Sequence, residues 1–347
     1  MKTFFGKIGK AIATHKIVTI AVALILVLVV VFSCLGAFIF NRYSQGTVPS
    51  DSDLKALKDS GQVYEHVVIF GVDGAGGYFG ETDTPNFDKI FKDGSVTYKG
   101  MSQFPTISAQ NWGSMIHGVR CQKHKITNDL AANQNYSDTK YPSFFKVYGE
   151  RHPDAEMASI VNWGPINKGI VEHNIPGMYT KDAKVYYPDA KGDEAVDEAV
   201  CDLVIDFVKT KKSEIVFMQF DGVDGAGHDG NNMGYGAPEF EAAVKHIDVL
   251  MGKIYQAYCD RGWKDNTLFI CVSDHGHECK KGGGHGSNNP TVRNVTVAVA
   301  GGKGNVIKGE PGTVITQDIA SIVLYALGEK QPDSWDSKVP KNMFKGL

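Results

Sequence analysis

The stretch HVVIFGVD, residues 66–73, decides the fold. It is a short apolar run of strand length that ends on a carboxylate. Residues 215–220, IVFMQF, lead in the same way to Asp221, and residues 268–273, LFICVS, lead to Asp274. Continuous apolar runs are typical of strands that are covered on both faces, as in mostly parallel sheets. The three runs therefore predict such a sheet, with acidic side chains gathered beyond the strand ends.

Helical patterns separate these apolar runs. Strands are expected near residues 66–72, 158–162, 215–220, 268–272 and 295–300, and helices near residues 85–92, 142–150, 193–211, 238–260 and 317–327. Strands that alternate with helices indicate an α/β protein whose sheet is flanked by helices on both faces. We therefore predict one such domain over residues 63–347.

An uncharged apolar segment, residues 17–40, precedes this domain and is long enough to cross the hydrocarbon layer of a membrane. Lysines are frequent before it and only Arg42 follows closely, so the positive-inside rule keeps the N-terminus cytoplasmic. We expect a cytoplasmic tail at 1–16, a transmembrane helix at 17–40, a polar stalk at 41–62 and an extracellular or luminal domain. This is the topology of a single-pass type II membrane protein. A cleaved signal peptide is the alternative, although its apolar core is usually only about 7–15 residues long.

Charge and modification signals indicate the partners and the compartment. Residues 1–42 carry five positive and no negative charges, so the formal net charge of −3 becomes about −8 for the remainder. This balance argues against nucleic acid or anionic lipid as the main partner. The triplets Asn135-Tyr136-Ser137 and Asn294-Val295-Thr296 fit the glycosylation pattern of a translocated domain. Five cysteines follow the apolar segment, and their odd number leaves at least one without an intramolecular partner.

Ligands of such sheets bind beyond the carboxyl ends of the strands, so polar residues in those places are candidates for the functional site. Carboxylate and imidazole together are the ligand mixture that suits zinc, with manganese or iron as alternatives. Seven candidates stand out: Asp73, Ser108, Asp224, His228, Asp274, His275 and His285. The sequence therefore predicts a metal site at this edge of the sheet.

Each element of this pattern also has an ordinary structural interpretation. Residues 224–228, Asp-x-x-x-His, are more often a polar turn than a metal site when taken alone. His285 lies in a glycine-rich stretch that could simply be an exposed loop, and His277 is interpreted as a bystander. The metal site is favoured because these elements occur together in one sequence. An acidic residue follows each of three predicted strands, and a histidine follows two of them.

The motifs together resemble a known family. They are Phe70-Gly-Val-Asp73, Phe104-Pro-Thr-Ile-Ser-Ala-Gln-Asn-Trp112, Asp224-x-x-x-His228, Ser273-Asp-His-Gly276 and Gly284-His-Gly286. Their types and order resemble the type I phosphodiesterase/nucleotide pyrophosphatase branch of the alkaline phosphatase superfamily. The resemblance covers nearly all of the domain and implies an alkaline-phosphatase-like fold. It also implies hydrolysis of a phosphodiester or pyrophosphate bond in a small phosphate ester or nucleotide.

The resemblance also implies a role for each candidate. One zinc ion would lie between Asp73, Ser108, Asp274 and His275, and a second between Asp224, His228 and His285. The nucleophile of the family is a threonine or serine followed three residues later by asparagine, which selects Ser108 with Asn111 and implies a phosphoserine intermediate. Thr106 is the alternative nucleophile.

Elementary chemistry agrees with this assignment. A hydroxyl nucleophile needs a bound cation to lower its pKa, and a second cation can hold the non-bridging phosphate oxygens. Ser108 precedes a helical stretch at 109–116, whose N-terminal amides favour an anion. Asn111 can donate a hydrogen bond to the same phosphate, whereas Trp112 is interpreted as a packing residue.

Two departures keep other functions open. Animal nucleotide pyrophosphatases have a long insertion between the Asp-His pair and the last histidine, whereas His275 and His285 are close together here. That short spacing leaves a phosphomonoesterase or phosphosugar mutase as an alternative, and a catalytically silent surface binding module is a third. The complete ligand set argues against silence, and the absence of Cys-x-Pro-x-Arg near Ser108 argues against a formylglycine sulfatase. Aromatic residues within 126–191 are expected either to contact substrate or to belong to the core.

Overall fold

The structure is a computed structural model that describes residues 19–20, 22–31, 45–136, 140–230 and 233–347. Tyr43–Leu347 group as one compact unit. Its strands are β1 (His66–Val72), β2 (Ser95–Met101), β3 (Met157–Val161), β4 (Met178–Asp182), β5 (Ile215–Phe220), β6 (Thr267–Ser273) and β7 (Asn294–Gly301).

Helices precede, connect and follow these strands. They are α1 (Asp51–Asp59), α2 (Pro85–Phe91), α3 (Ser108–His117), α4 (Cys121–His124), α5 (Asn128–Asn133), α6 (Phe144–Arg151), α7 (Pro165–Gly169), α8 (Ala183–Tyr186), α9 (Asp193–Thr210), α10 (Gly222–His228), α11 (Pro238–Asp260), α12 (Pro290–Arg293) and α13 (Asp318–Ala326), with short 3₁₀ turns at Tyr78–Gly80 and Lys264–Asn266.

The seven strands form one sheet in the order β2-β7-β6-β1-β5-β3-β4. Strand β1 lies near the centre and pairs in parallel with β5 and β6. Strand β7 is antiparallel to both of its neighbours, and the other pairs are parallel. The predicted mixed α/β fold with a mostly parallel sheet is thus confirmed.

Alternate residues of β1 show why its sequence is continuously apolar. Val67 and Ile69 belong to the core on one face of the sheet, together with residues of α1, α3, α5, α6, α7 and α13. Val68, Phe70 and Val72 belong to the core on the other face, with residues of α2, α8, α9, α10 and α11. Because side chains alternate between the two faces, both sets must be apolar when helices cover both.

Sequence patterns do not predict β2, β4 or α1. The two strands are the outer members of the sheet, and their alternating or exposed positions give no continuous apolar run. Helix α1 lies within the segment expected to be a polar stalk. Its Leu54 and Leu57 are buried in the core, and Ser50 caps its first turn in a capping box.

The structure contradicts the prediction of a single-pass type II membrane protein with an extracellular or luminal domain. Within the described residues, no helix has both the length and the apolar character needed to cross a bilayer. The predicted tail at 1–16, and residues 17–18, 21 and 32–40 of the predicted membrane segment, lie outside the described residues.

The signals for a translocated domain receive no support either. Asn294-Val295-Thr296 lies in β7, and Thr296 is fully buried. Ser137, the third residue of the other triplet, lies outside the described residues. The five cysteines after the apolar segment (Cys121, Cys201, Cys259, Cys271 and Cys279) are all free thiols.

Candidate metal centre

The candidate site lies where the three central strands end. Val72, the last residue of β1, pairs with Phe220 on one side and with Ser273 on the other. The next residue of each strand is therefore acidic: Asp73 lies between Asp221 and Asp274. The strand-end pattern of the sequence thus brings three carboxylates to adjacent positions.

A first cluster surrounds the Nε2 atom of His275. Ser108 Oγ lies 3.1 Å from it, Asp274 Oδ2 3.3 Å and Asp73 Oδ1 3.5 Å. His275 Nδ1 is 3.3 Å from the Gly276 carbonyl, which accepts its proton and leaves the lone pair on Nε2. Four potential ligand atoms therefore face one small volume, and they are the four that the family resemblance assigns to one ion.

Two of these carboxylate oxygens accept no hydrogen bond. Asp73 Oδ2 accepts from Trp112 Nε1 at 2.8 Å and from Gln219 Nε2 at 3.1 Å, and Asp274 Oδ1 accepts from two backbone N–H groups. The other oxygen of each, Asp73 Oδ1 and Asp274 Oδ2, is buried without a hydrogen-bond donor. Such groups are costly in a protein interior unless a cation lies beside them. The donor set therefore fits a metal ion.

A second cluster combines α10 with the glycine-rich loop. His228 Nε2 lies 3.5 Å from Asp224 Oδ2 and 3.1 Å from His285 Nε2, and His285 Nε2 is 4.0 Å from Asp224 Oδ1. His285 Nδ1 donates to the Thr106 carbonyl at 2.9 Å, which leaves the lone pair on its Nε2. Two imidazoles and a carboxylate thus converge as metal ligands do.

The pKa values in the site follow from burial and from charge crowding. Burial raises the pKa of Asp73 and of Asp274 well above the ordinary range, and the neighbouring carboxylates raise it further. Burial also lowers the pKa of His275 and of His285, which favours the neutral imidazole, the form that binds metal. A cation at the cluster would favour ionised carboxylates and neutral imidazoles together.

Asp224 differs from the other two carboxylates. Burial opposes its ionisation, but a hydrogen bond from His277 and the nearby imidazoles outweigh burial and lower its pKa. Four groups of three side chains in this site have potential ligand atoms close enough together to hold a metal ion. They are Asp73 with Asp274 and His275, Asp73 with Asp221 and Asp224, Asp224 with His275 and His285, and Asp224 with His228 and His277.

Asn111 is not brought to these clusters by its side-chain contacts. It is fully buried, its Oδ1 accepts from Gln103 N–H at 2.6 Å, and its Nδ2 faces the carbonyls of Gln103, Pro105 and Ile107 at 3.2–3.3 Å. These contacts hold the backbone segment that leads into α3. The side chain of Asn128 contacts the first turn of α3, where its Oδ1 accepts from Ala109 N–H at 3.0 Å.

Sequence reasoning misses three contributors. Trp112 is expected to be a packing residue, yet its indole N–H binds Asp73. Gln219 also donates to Asp73, and its signal is a polar residue inside an otherwise apolar run. His277 is expected to be a bystander, yet its Nε2 lies 2.7 Å from Asp224 Oδ1.

The aromatic residues of the 126–191 segment divide into two groups. Tyr141 and Tyr148 are core residues, and Tyr136 and Trp163 pack against the core. Tyr179, Tyr186 and Tyr187 are exposed, and the Lys181 ammonium lies 4.8 Å and 3.4 Å from the ring centres of Tyr179 and Tyr186. The second group is the more exposed of the two.

The fold and the strand-end cluster define an α/β protein with an acidic and histidine-rich centre. The family model for type I phosphodiesterase / nucleotide pyrophosphatase matches residues 67–281, more than half of the chain. The chain therefore belongs to this family, as the sequence motifs predicted. The family is hydrolytic and acts on small phosphate esters or nucleotides.

Solved structures share the fold at low sequence identity. Human ectonucleotide pyrophosphatase / phosphodiesterase 5 aligns with a TM-score of 0.62 and 12% identity, covering 81% of this chain and 100% of that chain. The inactive murine protein in complex with AMP aligns at 0.59 and 14%, covering 78% and 96%. A sulfatase from Pseudoalteromonas sp. aligns at 0.60 and 16%, covering 84% and 75%. At these identities the comparison shows the shared fold.

Proposed function

We propose that this protein is a two-metal hydrolase of phosphodiester or pyrophosphate bonds, with residues 63–347 as the catalytic domain. The observation that carries the proposal is the placement of Ser108. Its hydroxyl lies at the first residue of α3, 3.1 Å from His275 Nε2 and beside two carboxylate oxygens that lack a donor. A hydroxyl in this position is suited to attack a phosphate held at the same cluster.

Two zinc ions are the proposed cofactors, with manganese or iron as alternatives. Asp73, Ser108, Asp274 and His275 would hold one ion, and Asp224, His228 and His285 the other. When bound, the ions would lower the pKa of the serine hydroxyl and neutralise phosphate oxygens. The buried oxygens of Asp73 and Asp274 that accept no hydrogen bond support this assignment.

The reaction proceeds through a phosphoserine in this proposal. Ser108 Oγ bonds to phosphorus while the P–O bond to the leaving group breaks, and the electron pair goes to the leaving oxygen. The hydroxyl proton is released to solvent, and the leaving oxygen takes a proton from water. A water molecule then attacks phosphorus, the P–Oγ bond breaks, and Ser108 recovers its proton. The N-terminal end of α3 favours the anion throughout.

The contacts of Thr106 support Ser108 as the nucleophile. Thr106 is fully buried, and its Oγ1 donates to the Ser287 carbonyl at 2.8 Å and accepts from Gly286 N–H at 2.9 Å. Its own carbonyl accepts from His285 Nδ1. Thr106 is thus committed to holding the loop of His285, whereas the hydroxyl of Ser108 faces the cluster.

The family membership supports a diester or pyrophosphate substrate, and the AMP complex of the murine relative supports a nucleotide as the esterified group. A monoesterase needs cationic side chains for the extra phosphate charge. The cations nearest to Ser108 in the sequence are Lys99 and Arg120, and Arg120 is paired with Asp336 at 3.5 Å. The charge of a diester is easier for such a site to neutralise.

Turnover of p-nitrophenyl esters by the zinc-loaded full-length chain tests this proposal. Bis-p-nitrophenyl phosphate and a nucleotide p-nitrophenyl ester should be cleaved faster than p-nitrophenyl phosphate. Ser108→Ala should lower turnover at least about 10³-fold while the protein stays folded. Ser114→Ala is the matched control, because this serine lies on the same helix and its Oγ binds the Gln110 carbonyl.

Two results would contradict the proposal in different ways. Near-native turnover by Ser108→Ala would exclude this residue as the nucleophile. A strong preference for p-nitrophenyl phosphate would replace the diesterase with the phosphomonoesterase alternative. Turnover equal to the uncatalysed rate for every ester, with both ions bound, would favour the silent binding module.

A further inference from the structure

His277 occupies an enclosed position between α10 and the glycine-rich loop. The ring is fully buried, its Nε2 lies 2.7 Å from Asp224 Oδ1, and its Nδ1 lies 3.2 Å from the backbone nitrogen of Gly284. One ring therefore touches a carboxylate of the second cluster and the loop that carries His285. Neither contact is expected from its place two residues after His275.

The partners of the ring determine its tautomer. A backbone N–H only donates, so Nδ1 of His277 must carry the lone pair that accepts from Gly284. The ring proton is then on Nε2 and is donated to Asp224 Oδ1. In this arrangement neither nitrogen is free to bind an ion, which separates His277 from the ligand histidines.

Two glycines make room for this ring. A Cβ on Gly227 of α10 would lie 2.5 Å from Cδ2 of His277, closer than real contacts allow. A Cβ on Gly283 would lie 1.9 Å from the Gly227 carbonyl oxygen and 3.1 Å from His277 Nδ1, at a backbone φ of 52°. The helix and the loop can therefore close around His277 only because both positions lack a side chain.

We infer that His277 is a positioning residue that fixes Asp224 and the His285 loop in the geometry of the second ion site. By donating to Oδ1, it leaves Asp224 Oδ2 directed towards His228 Nε2 at 3.5 Å. By accepting from Gly284, it holds the residue next to His285. The inference rests on the proposed function, since it assigns His277 to one of the two proposed ions.

The first cluster shows the same arrangement with other donors. Trp112 and Gln219 donate to Asp73 Oδ2, and Asp73 Oδ1 is left directed towards His275 Nε2. In each cluster, neutral donors hold one oxygen of a carboxylate and leave the other for a cation. Partners of this kind commonly change metal affinity about 10–100-fold when they are replaced.

Zinc titration of the metal-free full-length chain by calorimetry tests the inference, together with zinc content after dialysis. His277→Asn keeps an acceptor for Gly284 N–H but is too short to reach Asp224, so one of the two sites should weaken about 10–100-fold. His277→Gln can donate to Asp224 again and should restore most of that affinity. His152→Asn is the matched control, because His152 also binds a carboxylate, Glu329, at 3.1 Å but is exposed.

Each result decides a separate point. Two native affinities in His277→Asn would overturn the positioning role. An equal loss of zinc affinity in His277→Gln and His277→Asn would make His277 a direct ligand and would also overturn the positioning role. Fewer than two zinc ions in the wild-type chain would instead overturn the two-ion site of the proposed function, whatever the variants do.

Discussion

The two ends of α3 carry buried polar clusters that differ in how their atoms are satisfied. At the N-terminal end, Asp73 Oδ1 and Asp274 Oδ2 are buried and accept no hydrogen bond. At the C-terminal end, both ring nitrogens of His117 face carbonyl oxygens, those of Tyr141 at 2.8 Å and Ile170 at 2.9 Å.

His124 completes the C-terminal cluster. Its Nδ1 accepts from Ile126 N–H at 3.0 Å, and its Nε2 lies 3.1 Å from Ser114 Oγ and 3.2 Å from the Gln110 carbonyl. Every ring nitrogen of the two histidines therefore lies within 3.2 Å of a polar atom of the protein. The cluster ties α3 to the segments that follow it.

This contrast separates a structural polar cluster from a functional one. Buried polar atoms are normally paired within the protein, and the ring nitrogens at the C-terminal end of the helix all lie close to polar protein atoms. Asp73 Oδ1 and Asp274 Oδ2 lack such a partner and face the His275 ring, and a bound cation would satisfy both oxygens. The residue types alone would not tell which end of α3 is the functional one. The carboxylate oxygens without a hydrogen-bond donor do.

The largest expected effect is that of zinc on stability. If the cluster at the N-terminal end of α3 and the cluster of Asp224, His228 and His285 hold one ion each, each ion adds about 4 kcal/mol to the free energy of unfolding when free zinc is 1,000 times its dissociation constant, or about 8 kcal/mol together. Chelation should remove this contribution, as measured by urea unfolding with and without zinc. Equal unfolding curves in both conditions would mean that the unsatisfied oxygens are not an ion site.

A smaller effect concerns His124 and pH. Burial, together with the nearby His117 ring, lowers the pKa of His124 to about 3. Below about pH 6.5 the His124 ring takes up a proton in the unfolded chain but not in the folded protein. The free energy of unfolding is therefore unaffected by His124 above about pH 6.5. It falls by about 1.4 kcal/mol per pH unit on acidification, or about 3 kcal/mol at pH 4.5.

The comparison of wild type with His124→Asn isolates this contribution. The introduced asparagine side chain keeps an acceptor for Ile126 N–H but does not titrate, so the free energy of unfolding of the variant should change less between pH 6.5 and pH 4.5. Urea unfolding at several pH values measures the difference. Parallel pH profiles for the two proteins would show that His124 is protonated in the folded state or open to solvent.

The smallest expected effect is a gain in stability, and it comes from a substitution at the N-terminal end of α3. In metal-free protein, Asp274→Asn should raise the free energy of unfolding by about 1–2 kcal/mol, because it removes a buried carboxylate oxygen that has no donor. The same variant should lose zinc affinity. Unfolding of chelated wild type and variant measures the first effect, and a less stable metal-free variant would contradict it.

Much of the candidate site could be predicted from the sequence because its positions are local consequences of strand ends. Asp73 and Asp274 follow continuous apolar runs, and parallel strands that pair side by side bring their ends together. Ser108 likewise precedes a helix that the pattern predicts at 109–116 and the structure begins at Ser108. The family motifs then connect these positions to a reaction.

Other features depend on contacts between distant parts of the chain. Asn111 fits the motif of a phosphate-binding residue, yet both of its polar atoms hold the backbone that leads into α3. The apolar segment at 17–40 predicts a membrane helix, whereas no helix among the described residues is both long and apolar enough to cross a membrane.

The sheet and its acidic strand ends follow from the amino-acid sequence alone, because burial on both faces requires apolar residues at every position of a central strand. Which polar atoms are satisfied depends on the tertiary structure. His277 is the partner of Asp224, and not a bystander, because α10 and the glycine-rich loop, far apart in sequence, close around its ring. Hydrogen-bond partners of this kind are set by three-dimensional proximity, which no local pattern of residues encodes.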